Sequence, residues 1–228
     1  MVRKNSQDNL TDIACVIHQA ILNPHLDKEK VIQICDASKQ YGFSGLCTSL
    51  SHLPVARERL GNKNHTKLIT VIAFPFGFIP TTHKVNEAEF AIEHGAEELD
   101  LVPNYFALKE GNNELFAEEI NQISELGIPV RVILDVNGIF KTQSLSSAIN
   151  ASIDAGAQGI QIGNGFGLAI TSSQIKQLSE MVKNRCSIKA VGGIKTIDNV
   201  MKLTESGSTY IGTSFGFEII QEQMKKEK

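Results

Sequence analysis

Several things are scarce in this chain of 228 residues, and each scarcity removes a class of explanation. There are four cysteines, Cys15, Cys35, Cys47 and Cys186, far apart and with no CxxC pair. That excludes a disulfide frame and a paired-cysteine zinc site, and points to free thiols in a reducing compartment. The six histidines are scattered, with no HExxH and no paired spacing, so no metal site is expected. No apolar run reaches membrane-spanning length, so no membrane partner is expected. The opening stretch MVRKNSQDNL is polar and lacks the apolar core of a secretory signal. An excess of charge is missing too: the net charge is −3, which gives no nucleic-acid footprint. The expectation is a soluble cytoplasmic protein.

What is present is a repeated alternation of short apolar strands and glycine-terminated helices. After a loose lead-in over residues 1–10, strands are expected at Ile13–Ile17, Gly45–Thr48, Lys67–Phe74 and Glu98–Val102. Further strands are expected at Pro129–Asp135, Gly159–Ile162, Ser187–Val191 and Tyr210–Gly212. Helices separate them: one capped by Asp27 and stopped by Gly42, then Pro54–Leu60, Val85–His94 and Glu114–Glu125. Ser144–Ala155, Thr171–Lys183, Ile197–Ser206 and the amphipathic Phe215–Lys226 complete the set. Strands that alternate with helices across short connections form a parallel sheet. Eight such units in this length fit a single closed (β/α)8 barrel over residues 1–228, of α/β class, better than an open doubly wound sheet.

In such a barrel, chemistry collects at the C-terminal ends of the strands. The stretch SIKAVGGIKT, residues 187–196, places Lys189 inside an apolar strand ahead of Gly192 and Gly193. A buried ammonium needs a partner or a task, and desolvation drives it toward a nucleophilic amine. The plainer reading, a lysine reaching water from a strand end, stays open. Asp100 in ELDLV also has apolar neighbours and needs a cationic partner. Arg131, Lys189 and Asp135 belong to the same interior, either as a catalytic group or as a structural ion-pair network. Gly163, Gly165 and Gly167 after strand six, Gly192 and Gly193 after strand seven, and Gly212 with Ser214 at strand eight are candidate phosphate-loop positions.

With these motifs in place, the chain resembles the deoxyribose-phosphate aldolase family from about Ile17 to about Ile220. The resemblance rests on NEAEFAIEHGAEELDLV (86–102), DAGAQGIQIGNGFG (154–167), IKAVGGIKT (188–196) and YIGTSFG (210–216). It implies a (β/α)8 enzyme that splits 2-deoxyribose 5-phosphate into glyceraldehyde 3-phosphate and acetaldehyde, through a lysine Schiff base and with no metal or other cofactor. It also implies that Asp100 is the acidic proton-relay residue and Lys189 the second lysine. Gly165, Gly192, Gly193, Gly212 and Ser214 would hold a phosphorylated small molecule. A homodimer is common in the family.

The departures from that pattern are as informative. Where the family reads like VKTSTGF, this chain reads IQIGNGF, so Gln161 occupies the Schiff-base lysine position. An amide cannot form an imine. His18 falls where the family has an acidic residue, Ser49 replaces an asparagine, and Phe215 replaces a serine. Phe76, Phe78, Tyr105, Phe106, Phe140 and Phe215 form an aromatic set around the strand-following loops, which could pack inward or face a protein partner. The leading expectation is an aldolase-like barrel impaired in catalysis that keeps phosphate binding in a binding or regulatory role. The alternatives are an active aldolase using Lys189 as the imine lysine, and an interaction module using the aromatic mouth.

Overall fold

A computed structural model describes residues 13–62, 64–134 and 142–226. Eight parallel strands close into a barrel in sequence order. They are β1 Ile17–Ile21, β2 Gly45–Thr48, β3 Lys67–Ile72, β4 Glu98–Leu101, β5 Val130–Leu134, β6 Gly159–Ile162, β7 Ser187–Val191 and β8 Tyr210–Thr213. Helices α1 Lys28–Gln40, α2 Leu53–Leu60, α3 Thr81–Glu93, α4 Tyr105–Lys109 and α5 Asn113–Ser124 surround the first half. Helices α6 Thr142–Asp154, α7 Ser172–Val182, α8 Ile197–Glu205 and α9 Gly216–Lys226 surround the second. The (β/α)8 expectation holds.

Local chemistry sets the helix starts. Asp27 accepts the Lys30 N–H at 2.7 Å, which begins α1. Thr171 and Gln174 form a reciprocal capping box at α7, and Thr196 caps α8. The helix α4 does not follow from the apolar pattern. Its start is fixed by Asn104, whose side chain accepts the Ala107 N–H at 3.0 Å.

The first strand departs from the expected Ile13–Ile17. Ala14–Val16 is a 3-10 turn, and β1 begins at Ile17. The polar pair His18-Gln19 hides the strand from a reading based on apolar runs. Successive residues of a strand face opposite sides. Ile17 and Gln19 face the start of α9, where the Gly216 N–H donates to Gln19 Oε1 at 3.0 Å. His18 and Ala20 face the barrel interior.

The same alternation divides every strand. Leu99 and Leu101 enter the layer between sheet and helices, while Asp100 turns inward. Glycines make room for the large interior side chains. A Cβ at Gly45 would lie 2.9 Å from the His18 ring. One at Gly212 would lie 2.8 Å from Lys189 Cε, and one at Gly159 would lie 3.1 Å from Arg131 Nε. The interior therefore has two characters: an apolar cluster of Cys47, Ile69 and Val71, and a polar set drawn from β1 and β4–β7.

Candidate active site

Strand register assembles the polar set. Asp100 pairs in register with Arg131, Gln161 with Lys189, and Lys189 with Tyr210. Asp100 is fully buried and receives three donors. Arg131 Nη1 donates to its Oδ1 at 2.6 Å, and Lys189 Nζ donates to its Oδ2 at 2.5 Å. The Cys47 thiol donates to the same Oδ2 at 3.6 Å. Burial alone would raise the Asp100 carboxyl, but Lys189 and Arg131 outweigh it and hold the group below the usual carboxylate range. Arg131 also donates to Glu98 Oε2 at 2.9 Å. Burial works against its charge, yet Asp100 and Glu98 keep the guanidinium charged. Burial pushes the Cys47 thiol up to about 12, so it remains a neutral donor.

Lys189 is only 2 % exposed, so it does not reach out to water from its strand end. It lines a cavity of about 30 Å³ together with His18, Cys47, Asp100, Gln161 and Asn164. Leu22, Val71, Phe74 and Val191 supply apolar wall. Gln161 Nε2 donates to the Gly163 carbonyl at 2.9 Å. His18 stacks on Tyr210 with ring centroids 4.3 Å apart. Burial, reinforced by Lys189 and Arg131, holds the His18 imidazole well below its ordinary pKa, so the ring is neutral. Among the described residues, no group of three or more His, Cys, Asp and Glu is placed to hold a metal ion.

The glycine loops lie beside this cavity. The loops after β6 and β7 pack against each other: Ile170 N donates to the Gly192 carbonyl at 3.2 Å, and a Cβ at Gly193 would sit 2.4 Å from Ala169 Cβ. Gly193 also has φ +71, a left-handed conformation that suits glycine. Gly165 and Ser214 are exposed, whereas Gly212 is buried within β8 against Lys189. Gln19 holds the last loop from below by donating to the Ser214 carbonyl at 3.2 Å. Lys195 Nζ lies 5.0 Å from the Phe215 ring centroid and adds a positive charge beside the loops.

The aromatic set divides. Phe76, Phe78 and Phe106 are exposed, and Phe76 stacks on Phe78. Tyr105 is half-buried and its hydroxyl donates to the Ile133 carbonyl at 2.7 Å, so it braces the barrel rather than presenting a surface. Phe215 is half-buried against the core. Asp135 and Phe140 lie outside the described residues, as does the lead-in over 1–10. Sequence reasoning missed Cys47 and Asn164 as wall residues, and it met His18 only as a departure from a motif. The period-two pattern of β1 and β2 carries the available signal, since it turns His18 and Cys47 inward together.

A deoxyribose-phosphate aldolase from Thermococcus gammatolerans is 34% identical over 216 residues, covering 92% of this chain and 96% of the relative. The enzyme of the same name from Trichormus variabilis is 36% identical over 218 residues, covering 95% of this chain and 96% of the relative. The chain belongs to the deoxyribose-phosphate aldolase family. Solved structures agree with that membership. The aldolase QR15 superposes with a TM-score of 0.89 at 29% identity, over 95% of this chain and 97% of that one. A tetrameric deoxyribose-phosphate aldolase from Aeropyrum pernix superposes at 0.84 and 26% identity, over 94% and 92% of the two chains. A scan against protein-family models matched none.

Proposed function

We propose that the protein is a carbon–carbon lyase of this aldolase family, acting on a sugar phosphate with Lys189 as the amine that meets the carbonyl. The observation that carries this reading is the sharing of Asp100 between two cations. An amine must lose its proton before it can attack. Lys189 can do so while Asp100 stays paired with Arg131, whose guanidinium remains charged. Among the described residues, Lys189 is the one buried lysine carried by a strand. We take Gln161 to stand at the family's lysine position, where an amide cannot serve.

The chemistry would run as follows. The Lys189 amine adds to the carbonyl carbon, and loss of water leaves a protonated imine. The hydroxyl on the carbon beyond the scissile bond gives its proton to water as that carbon leaves as the first carbonyl product, and the electron pair of the broken carbon–carbon bond is drawn into the imine to leave an enamine. A proton then returns to carbon, and water releases the second carbonyl product and restores the amine. Asp100 is placed to hold the ammonium before attack and to accept hydrogen bonds from the protonated imine. The exposed Gly165, Gly193 and Ser214, with Lys195, offer the nearest anion-binding positions, and buried Gly192 lies in the same loop set.

A second reading is favoured by one distance. Lys189 Nζ lies 2.5 Å from Asp100 Oδ2, an ion pair that suits a barrel binding its sugar phosphate without covalent chemistry. Borohydride reduction in the presence of 2-deoxyribose 5-phosphate, followed by intact mass, separates the two. The lyase reading expects a single added mass on the protein and measurable aldehyde release. Binding with neither adduct nor release would replace it by the non-covalent reading.

A further inference from the structure

Two polar atoms on residues that line the cavity have no partner among the described residues. His18 Nδ1 and Gln161 Oε1 are both buried and make no hydrogen bond to any described residue. Their side chains are only 2 % and 4 % exposed, and both line the same cavity as Lys189. Buried polar atoms are rarely left unpaired, and each one that is calls for an explanation, a catalytic role among them. Both line one cavity with Lys189: Gln161 is its register partner on the adjacent β6, and His18 is the register partner of Gly212 on β8.

The chemistry of the pair is specific. Gln161 Nε2 is committed to the Gly163 carbonyl, which leaves Oε1 as the acceptor of this cavity-lining side chain. The neutral His18 ring offers Nδ1 either as an N–H donor or as a lone pair. A ligand hydroxyl can donate to Gln161 Oε1 or accept from a His18 Nδ1–H, so it can supply a partner to either atom. A methylene can satisfy neither. The cavity of about 30 Å³ is small, enough for about two water-sized groups. A carbonyl oxygen and one adjacent hydroxyl fill that space.

We propose that His18 and Gln161 form a hydroxyl-recognition subsite beside Lys189, which selects ligands carrying a hydroxyl on the carbon next to the carbonyl. The subsite deepens the sugar-phosphate reading above and rests on it. It directs the barrel toward α-hydroxy carbonyl phosphates rather than their 2-deoxy counterparts. An unpaired buried polar atom penalises the deoxy ligand by a factor on the order of ten.

Isothermal titration of the wild-type protein with ribose 5-phosphate and with 2-deoxyribose 5-phosphate tests the proposal. The expected result is tighter binding of ribose 5-phosphate by about tenfold or more. His18→Phe, which keeps an aromatic ring against Tyr210, and Gln161→Met, which keeps the chain length, should each bring the two affinities close together. Equal wild-type affinities, a preference for the deoxy sugar, or a preference that survives both variants would overturn the subsite alone. Binding of neither sugar would overturn both it and the sugar-phosphate reading. A ribose preference without any borohydride adduct would support the subsite and remove only the imine.

Discussion

Among the described residues two lysines are buried, and their surroundings differ. Lys84 on α3 is fully enclosed and donates to Glu119 Oε1 at 2.8 Å and to the Val102 carbonyl at 3.0 Å. Thr81 donates to the other Glu119 oxygen at 2.8 Å. Both carboxylate oxygens are occupied there, and Lys84 does not line the cavity described above. Lys189 is equally buried, but its cluster opens on that cavity and is incomplete. His18 Nδ1, Gln161 Oε1 and Arg131 Nε all lack a partner among the described residues. A buried charge by itself therefore does not mark a site. The Lys84 group ties α3 to α5 and to the end of β4, and the Lys189 group keeps polar capacity in reserve beside an open volume.

Several substitutions can break or sharpen that contrast. The largest effect is expected from Lys189→Met, which should abolish adduct formation and product release while the barrel stays folded, as read by borohydride trapping and circular dichroism. Asp100→Asn leaves two buried cations short of their shared anion. It should destabilise by about 3–5 kcal/mol in urea titration and also weaken turnover. Lys84→Met strands the Glu119 carboxylate and should cost about 3 kcal/mol or more. The contrast requires that this loss leave sugar-phosphate affinity unchanged by titration calorimetry, because Lys84 touches no cavity wall.

A smaller effect concerns pH. The Asp100 carboxyl is lowered in the fold relative to about 3.9 for a free aspartate. Its contribution to stability is therefore fully present above about pH 4 and is lost as pH falls through the lower folded value. Wild type should lose stability relative to Asp100→Asn on acidification from neutral pH to about pH 3. The smallest effect is expected at the mouth. Phe78 is 84 % exposed, so Phe78→Ser should change stability by no more than about 0.5 kcal/mol.

The sequence makes the barrel readable through its glycine-terminated helices and β-branched strands, and most boundaries fall within a few residues of the structure. The exceptions have physical causes. β1 was displaced because His18 and Gln19 interrupt an apolar run, although each is buried with a defined environment. The helix α4 is short and held by one asparagine cap, a signal too local for apolar periodicity to reveal. Asp100, Arg131 and Lys189 could be assigned to one interior from their strand positions, but only the closed register shows that one carboxylate serves both cations. The sequence leaves Tyr105 open between packing inward and facing a partner, because composition carries no direction for a side chain. The orphaned atoms of His18 and Gln161 had no sequence signal at all, since a missing partner becomes visible only after every neighbour is placed.

The most direct measurement is peptide mapping of protein reduced with borohydride in the presence of 2-deoxyribose 5-phosphate. The account predicts a single modified peptide containing Lys189, with the Lys84 peptide unmodified. A label on any other lysine, or unlabelled protein that still releases aldehyde, would contradict it.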